Sequence, residues 1–266
     1  MHLKRVDSRR PGVTPDAPSN ALGTAHPGRR GAVLFRRREV WVPTLWGTFA
    51  LVVIAAALVT TFTFTVVGWL AANQPARGAR TLVVEGWLNE EGLVQAVAAI
   101  ERGRYERVVT TGGPIEPWID VGRWGTFAAR AAAYLRGHVP AGVPIVAVPA
   151  PDTTFDRTYL NAVMLHQWAV RAKVDLQAID LFSSGVHTRR SGMVYRLALG
   201  PGVEVGVLAA VPEDFHDGRW WATSASTKST IGEALSMAWT ACCFWPGPPG
   251  SHEVAAAPPP APSPTR

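Results

Sequence analysis

Hydrophobic and polar positions divide the 266-residue chain into three regimes. Residues 1–39 mix Pro, Gly, Ala and Arg without any apolar period, which predicts a disordered arm. From Val40 to Ala72 no charged residue occurs, and Leu45 to Leu70 is the densest apolar part. A helix there rises ~1.5 Å per residue and reaches about 39 Å, enough to cross a ~30 Å hydrocarbon core with some tilt. Trp41 and Trp46 mark one end and Trp69 the other, where aromatic belts are expected, so residues 40–72 read as a single membrane span. Thr60, Thr61, Thr63 and Thr65 are compatible with a helix, because a threonine hydroxyl bonds back to the preceding turn. The apolar run exceeds the ~7–15 residues of a secretory h-region, so an uncleaved anchor is expected rather than a signal peptide.

The third regime alternates. Thr81–Val84, Arg107–Thr110, Pro144–Val148, Ala178–Phe182 and Val203–Leu208 are short apolar runs that read as strands. Helical spacing fills the gaps. The first helix has Asn89 as N-cap and Gly103 as stop; the others cover about 123–136, Phe155–Ala172 and His187–Leu199. Strand–helix alternation with short connections predicts a doubly wound parallel α/β domain over residues 80–245, joined to the span by the linker Asn73–Ala79. A last helix, Ser226 to about Trp245, carries Ile231, Leu235, Ala238 and Trp239 on one face. Lys228 and Glu233 leave it too short for a second span. Residues 246–266 are Pro/Ala-rich and read as a disordered tail.

Charge sharpens this picture. The formal net charge is +6, yet residues 1–39 hold nine basic and three acidic groups, while the 17 of each sign elsewhere cancel. The body therefore shows no electrostatic footprint for a nucleic acid. Arg36, Arg37 and Arg38 abut the start of the span, and only Arg77 and Arg80 follow its end. The positive-inside rule then places the arm in the cytoplasm and the domain outside it. The two cysteines, Cys242 and Cys243, are adjacent, which disfavours a zinc site and suggests packing thiols rather than a strained bridge.

In an open parallel sheet, ligands bind beyond the carboxyl ends of the strands. The strands deliver there Glu85, Gly86 and Trp87; then Thr111, Gly112 and Gly113; then Asp152 to Arg157; then Ser183, Ser184 and His187; and last Glu213, Asp214 and His216. Ile179 to Ser191 reads as a buried strand feeding a helix start, whose His187, Arg189 and Arg190 would suit an anion. Arg157 and Asn161 lie four apart on one helix face, and with Arg190 two guanidinium groups would meet one phosphate or carboxylate. The Gly112-Gly113 turn would admit such a group close to the backbone. Glu85 is a candidate general base with His187 as acid–base partner, and Glu233 a candidate for closing the pocket or pairing with Lys228 or an arginine. Glu85, Asp152 and His187 lack diagnostic metal spacing, so no metal site is expected. GxGxxG, GxxxxGK[ST] and GxSxG are all missing from the sequence.

These residues resemble a bacterial family, the DUF218 or ElyC/SanA/YdcF-like proteins. Arg157-Thr158-Tyr159-Leu160-Asn161-Ala162 is similar to its helix-start motif, and Ser183 through Ser191 looks like its Thr-Ser-x-x-His-x-x-Arg motif. Thr111-Gly112-Gly113 stands where the family has Ser-Gly-Gly, and Glu85-Gly86-Trp87-Leu88 and Trp220-Trp221 look like one subgroup. Leu160 occupies the motif's usual Glu position. The resemblance implies a Rossmann-like domain anchored in the bacterial plasma membrane and connected with cell-envelope and cell-wall biogenesis. An S-adenosylmethionine-like ligand is suggested for some members. The expected function is binding of a phosphate-bearing envelope precursor, a lipid carrier or glycan intermediate. The alternatives are a hydrolase or transferase using Glu85 and His187, and a non-catalytic module of an envelope assembly.

Overall fold

A computed structural model describes residues 40–103, 105–116, 123–212, 215 and 219–246. The arm 1–39, the tail from residue 247, and Glu213, Asp214 and His216 lie outside the described residues. The chain divides into two units, 1–51 and 52–266. Of the first, Val40–Leu51 is described, and it contains the opening turns of helix α1 (Leu45–Leu70). This helix is long and apolar enough to cross a membrane by length and composition, with mean hydropathy 2.4 over its most apolar window. Thr63 and Thr65 bond back to the carbonyls of Val59 and Thr61 at 2.8 and 2.7 Å, which satisfies their hydroxyls without water.

The second unit carries a parallel five-stranded sheet: β1 (Thr81–Glu85), β2 (Arg107–Gly112), β3 (Ile145–Pro149), β4 (Ala178–Ser184) and β5 (Glu204–Ala210). Their spatial order is β3-β2-β1-β4-β5. Alternate residues point to opposite faces, so each strand feeds two cores. Leu82, Val84, Val108 and Phe182 pack against helices α2 (Glu90–Arg102) and α3 (Phe127–His138). Val83, Val109, Ile179, Leu181 and Val207 pack against α4 (Arg157–Ala172) and α5 (Thr188–Leu199) on the other face. Burial on both faces explains why these strands read as continuous apolar runs.

Element boundaries follow local chemistry. Asn89 caps α2 by accepting from the Gly92 N–H at 3.0 Å, and Gly103 ends it, as the sequence suggests. α3 begins at Phe127 rather than near Arg123. Thr126 takes the N-cap position, its hydroxyl accepting from the Ala129 N–H at 3.1 Å, and Gly125 before it has φ +72°. α4 begins at Arg157 because Asp156, at φ +48°, turns the chain into it.

The linker is not a free tether. Gln74 and Val207 exchange N–H···O bonds of 2.8 and 2.9 Å in an antiparallel bridge that covers the outer edge of β5. Asp180 accepts from the Ala76 N–H through one oxygen and from the Tyr105 hydroxyl through the other, both at 2.7 Å. The last helix, α6 (Ser224–Cys243), is capped by Thr223, whose hydroxyl accepts from the Ser226 N–H at 3.1 Å. Cys242 and Cys243 form a disulfide at its C-terminus, where packing thiols were expected. The backbone leaves helical geometry at Phe244, so no further turn constrains the two adjacent side chains there.

Candidate functional site

β1 lies between β2 and β4, so the chain leaves it to one side first and returns to build the other side later. The crevice above such a reversal is where open α/β sheets take ligands. A cavity of about 630 Å³ occupies it, lined by residues that follow four strands: Trp87 after β1, Gly113 after β2, Ala150 and Pro151 after β3, and His187 after β4. That volume suits a small ligand.

Two glycines shape the floor. A Cβ on Gly86 would stand 2.4 Å from the Phe127 carbonyl oxygen and 2.8 Å from that of Thr111. The Gly86 N–H in turn donates to the Thr111 carbonyl at 2.7 Å, locking the end of β1 to β2. Gly112 has φ +154°, and a Cβ there would meet the Phe127 Cβ at 2.7 Å. Both positions therefore need glycine so that α3 can start close to the sheet. Arg130, one turn into α3, donates to the carbonyls of Gly86 and Leu88 and holds this loop from behind. Arg130 and Phe127 escape sequence reading because nothing in a helix's spacing shows which loop its first turn will face.

The polar wall comes from the start of α4. Arg157, Thr158 and Asn161 line the cavity. The Asp156 side chain makes no capping hydrogen bond, so it leaves the first N–H groups of this helix to other partners. Arg157 is exposed, donates through Nε to the Thr153 carbonyl at 3.4 Å, and meets no carboxylate at salt-bridge distance among the described residues. Asn161 is only 5% exposed, yet its amide makes no side-chain hydrogen bond with any described residue. An amide on a cavity wall offers a ligand both a donor and an acceptor. Asp152 and Glu116 add carboxylates to the rim.

His187 ends a 3-10 turn, Gly185–His187, that leads from β4 into α5. Its Nδ1 lies 2.9 Å from Glu233 Oε1 and 2.9 Å from Arg190 Nη2. Nδ1 faces an acceptor in Glu233 and a donor in Arg190; the tautomer with the proton on Nδ1 donates to Glu233 and leaves the lone pair on Nε2. Glu233 also accepts from Arg190 at 2.7 Å (Nε) and 3.0 Å (Nη2), a bidentate pair. Burial pushes the Glu233 carboxyl upward, but the hydrogen bonds from His187 and Arg190 and their charges outweigh it and hold it at about 2. Trp87 meets the His187 ring edge-on at 5.3 Å.

The remaining expected site residues separate from this wall. Arg190 is occupied by Glu233 and does not line the cavity, so the structure does not bring two guanidinium groups together. Arg189 turns away, donating to the Trp69 carbonyl and stacking 4.6 Å above its ring. Glu85 is fully buried beneath the site; Ser183 donates to its Oε2 and Ser191 to its Oε1 at 3.2 Å. Thr111 meets the Tyr195 hydroxyl at 2.9 Å, a phenol pushed well up by burial and by the Glu85 charge. Glu85, Ser183 and Thr111 thus tie β1, β2, β4 and α5 together below the cavity, and Ser184 is half-buried at the turn above them. The anion-suited locus lies at the start of α4, with His187 as the sole contribution from the α5 side among the described residues. Among those residues no group of three or more His, Cys, Asp or Glu is placed to hold a metal ion. Comparison with protein-family models, with curated proteins and with solved structures finds no match for the chain.

Proposed function

We propose that this is a DUF218-like domain, anchored by α1 in a bacterial plasma membrane, whose cavity binds a phosphate-bearing envelope precursor outside the cytoplasm. The observation that carries the reading is the α4 wall: Arg157, which meets no carboxylate among the described residues, Asn161, and a helix start without a side-chain cap, gathered at one cavity. Phosphate oxygens match all three donors, and the apolar remainder of the lining suits a hydrocarbon or ring. The all-parallel strand order supports a Rossmann-like assignment. The arginine asymmetry about α1 and a disulfide in the domain both favour an extracytoplasmic placement.

The test uses the full chain in lipid nanodiscs, titrated with farnesyl monophosphate, with a sugar 1-phosphate, and with farnesol as the uncharged control. The first or second probe binds, according to whether the precursor is lipid or glycan, and farnesol does not. Arg157→Ala weakens binding about tenfold or more, the loss of a charge-assisted hydrogen bond. Unchanged affinity in Arg157→Ala overturns the reading.

One observation favours a catalytic variant of the same reading: Glu233 fixes Nδ1 of His187, leaving Nε2 as an acid–base group on the cavity wall. Phosphate release from farnesyl monophosphate that is abolished by His187→Ala, with affinity kept, supports it. No release by the unaltered chain counts against it.

A further inference from the structure

A helix on a water-facing surface turns its apolar stripe inward, and α6 does the reverse. Its buried positions are the polar Ser226, Thr230 and Thr240. Ile231, Leu235 and Trp239 are exposed at 44, 68 and 53%, and Trp245 just beyond the helix at 85%. The stripe legible in the sequence is therefore an outer face.

The opposite side of α6 shows where this face stands. Ala234 and Met237 pack against a cluster formed by Val66 and Leu70 of α1 with Val186 and Trp220. Before the helix begins, the Trp220 indole donates to the Thr63 carbonyl at 2.8 Å, and Trp221 meets Phe64 edge-on at 5.5 Å. All of these α1 partners belong to the last two turns of the apolar helix, within about 10 Å of its end at ~1.5 Å per residue. If α1 spans a bilayer, that is the depth at which an amphipathic helix lies in the interface, its apolar face sunk ~5–10 Å. Tryptophan is the aromatic residue suited to that layer, and Lys228, exposed on α6, can extend its ammonium to lipid phosphates.

We propose that α6 is a second, non-spanning membrane contact, whose Ile231/Leu235/Trp239 face seats in the headgroup–acyl boundary beside α1. The inference rests on the reading of α1 as a span. Its consequence for the cavity runs through Glu233: the residue projects from the seated helix and fixes His187, so the ligand wall is held at headgroup level. A phosphate carried by a lipid meets the site there without leaving the bilayer.

The test uses the full chain in liposomes, with Cys242→Ser and Cys243→Ser as background and an environment-sensitive dye on one introduced cysteine at a time. The sites are Leu235→Cys on α6, Ile54→Cys on α1 and Val94→Cys on α2. Nitroxide lipids quench from the headgroup-proximal or the mid-chain position. A dye at 235 is quenched about twofold more strongly by the shallow nitroxide than by the deep one, and a dye at 94 by neither. Quenching at 54 with none at 235 overturns the seat while leaving the span intact. No quenching at 54 overturns the span, and the seat with it. Energy transfer between dyes at 235 on different copies, without lipid quenching, assigns the face to self-association and also overturns the proposal.

Discussion

Glu233→Gln isolates the electrostatic lock between α6 and the start of α5. The substitution keeps size and shape but replaces one carboxylate oxygen by an amide donor, which then opposes either the His187 Nδ1–H or the Arg190 guanidinium. The carboxyl moves from an ordinary value of 4.5 to about 2 on folding, which corresponds to about 3 kcal/mol of differential stabilisation. The three side chains keep 16–21% exposure, so screening reduces this to about 2 kcal/mol. Because the lock joins α6 to α5 and not the strands to one another, the loss shows first as local opening of α6. Hydrogen exchange of α6 amides in the full chain, read by mass spectrometry, accelerates about 30-fold at neutral pH, while β1 and β4 stay protected. The pH dependence has a definite sign. A depressed carboxyl stabilises fully above its unfolded value and loses that contribution as pH falls toward its folded value. The difference between variant and unaltered chain is therefore complete above pH 4.5 and shrinks toward about pH 2. An acceleration under about threefold at neutral pH, or one that persists undiminished in acid, refutes the reasoning.

Glu85→Ala strands the Ser183 and Ser191 hydroxyls in a fully buried space and costs about 2–4 kcal/mol in denaturant unfolding, with Glu85→Gln milder. Gly86→Ala drives a methyl into two backbone carbonyls and destabilises by about 2 kcal/mol or more, whereas Gly113→Ala, with its nearest neighbour at 3.6 Å, is tolerated; equal thermal shifts in the two would contradict the floor described here. The cysteines take no maleimide in the native, unreduced chain and take two after reduction, read as intact mass.

The sheet was legible because strands covered on both faces write themselves as unbroken apolar runs, and each one expected is present. Helix starts were less so. Spacing alone runs α3 back to Arg123, and only the Gly125 turn and the Thr126 cap show where the chain commits. Periodicity located the stripe on α6 but carries no information on what it faces, since an interior and a bilayer select the same side chains. Within the site, proximity to strand ends pointed to Gly112, Gly113, Arg157, Asn161 and His187, and these residues line one cavity. It could not sort Arg189 from Arg190, because their fates depend on partners 120 and 43 residues away. Glu85 illustrates the same limit. A strand-end carboxylate can point up into a crevice or sideways into a helix, and its two serine donors decide the matter.

The bridge between Gln74 and Val207 bears on how the domain moves. Only three residues separate Leu70 from Gln74, so the chain between helix and sheet edge spans at most about 14 Å even when fully extended. A flexible tether would let a domain tumble, and each encounter with a membrane-borne ligand would have to find both position and orientation. Here the orientation is settled when the chain folds. If α1 spans a bilayer that also carries the proposed ligand, searching is reduced to lateral diffusion in a plane, and rotational alignment is no longer a cost of each binding event. Inserting a flexible Gly/Ser segment after Ala72 restores that cost while leaving every residue of the cavity in place.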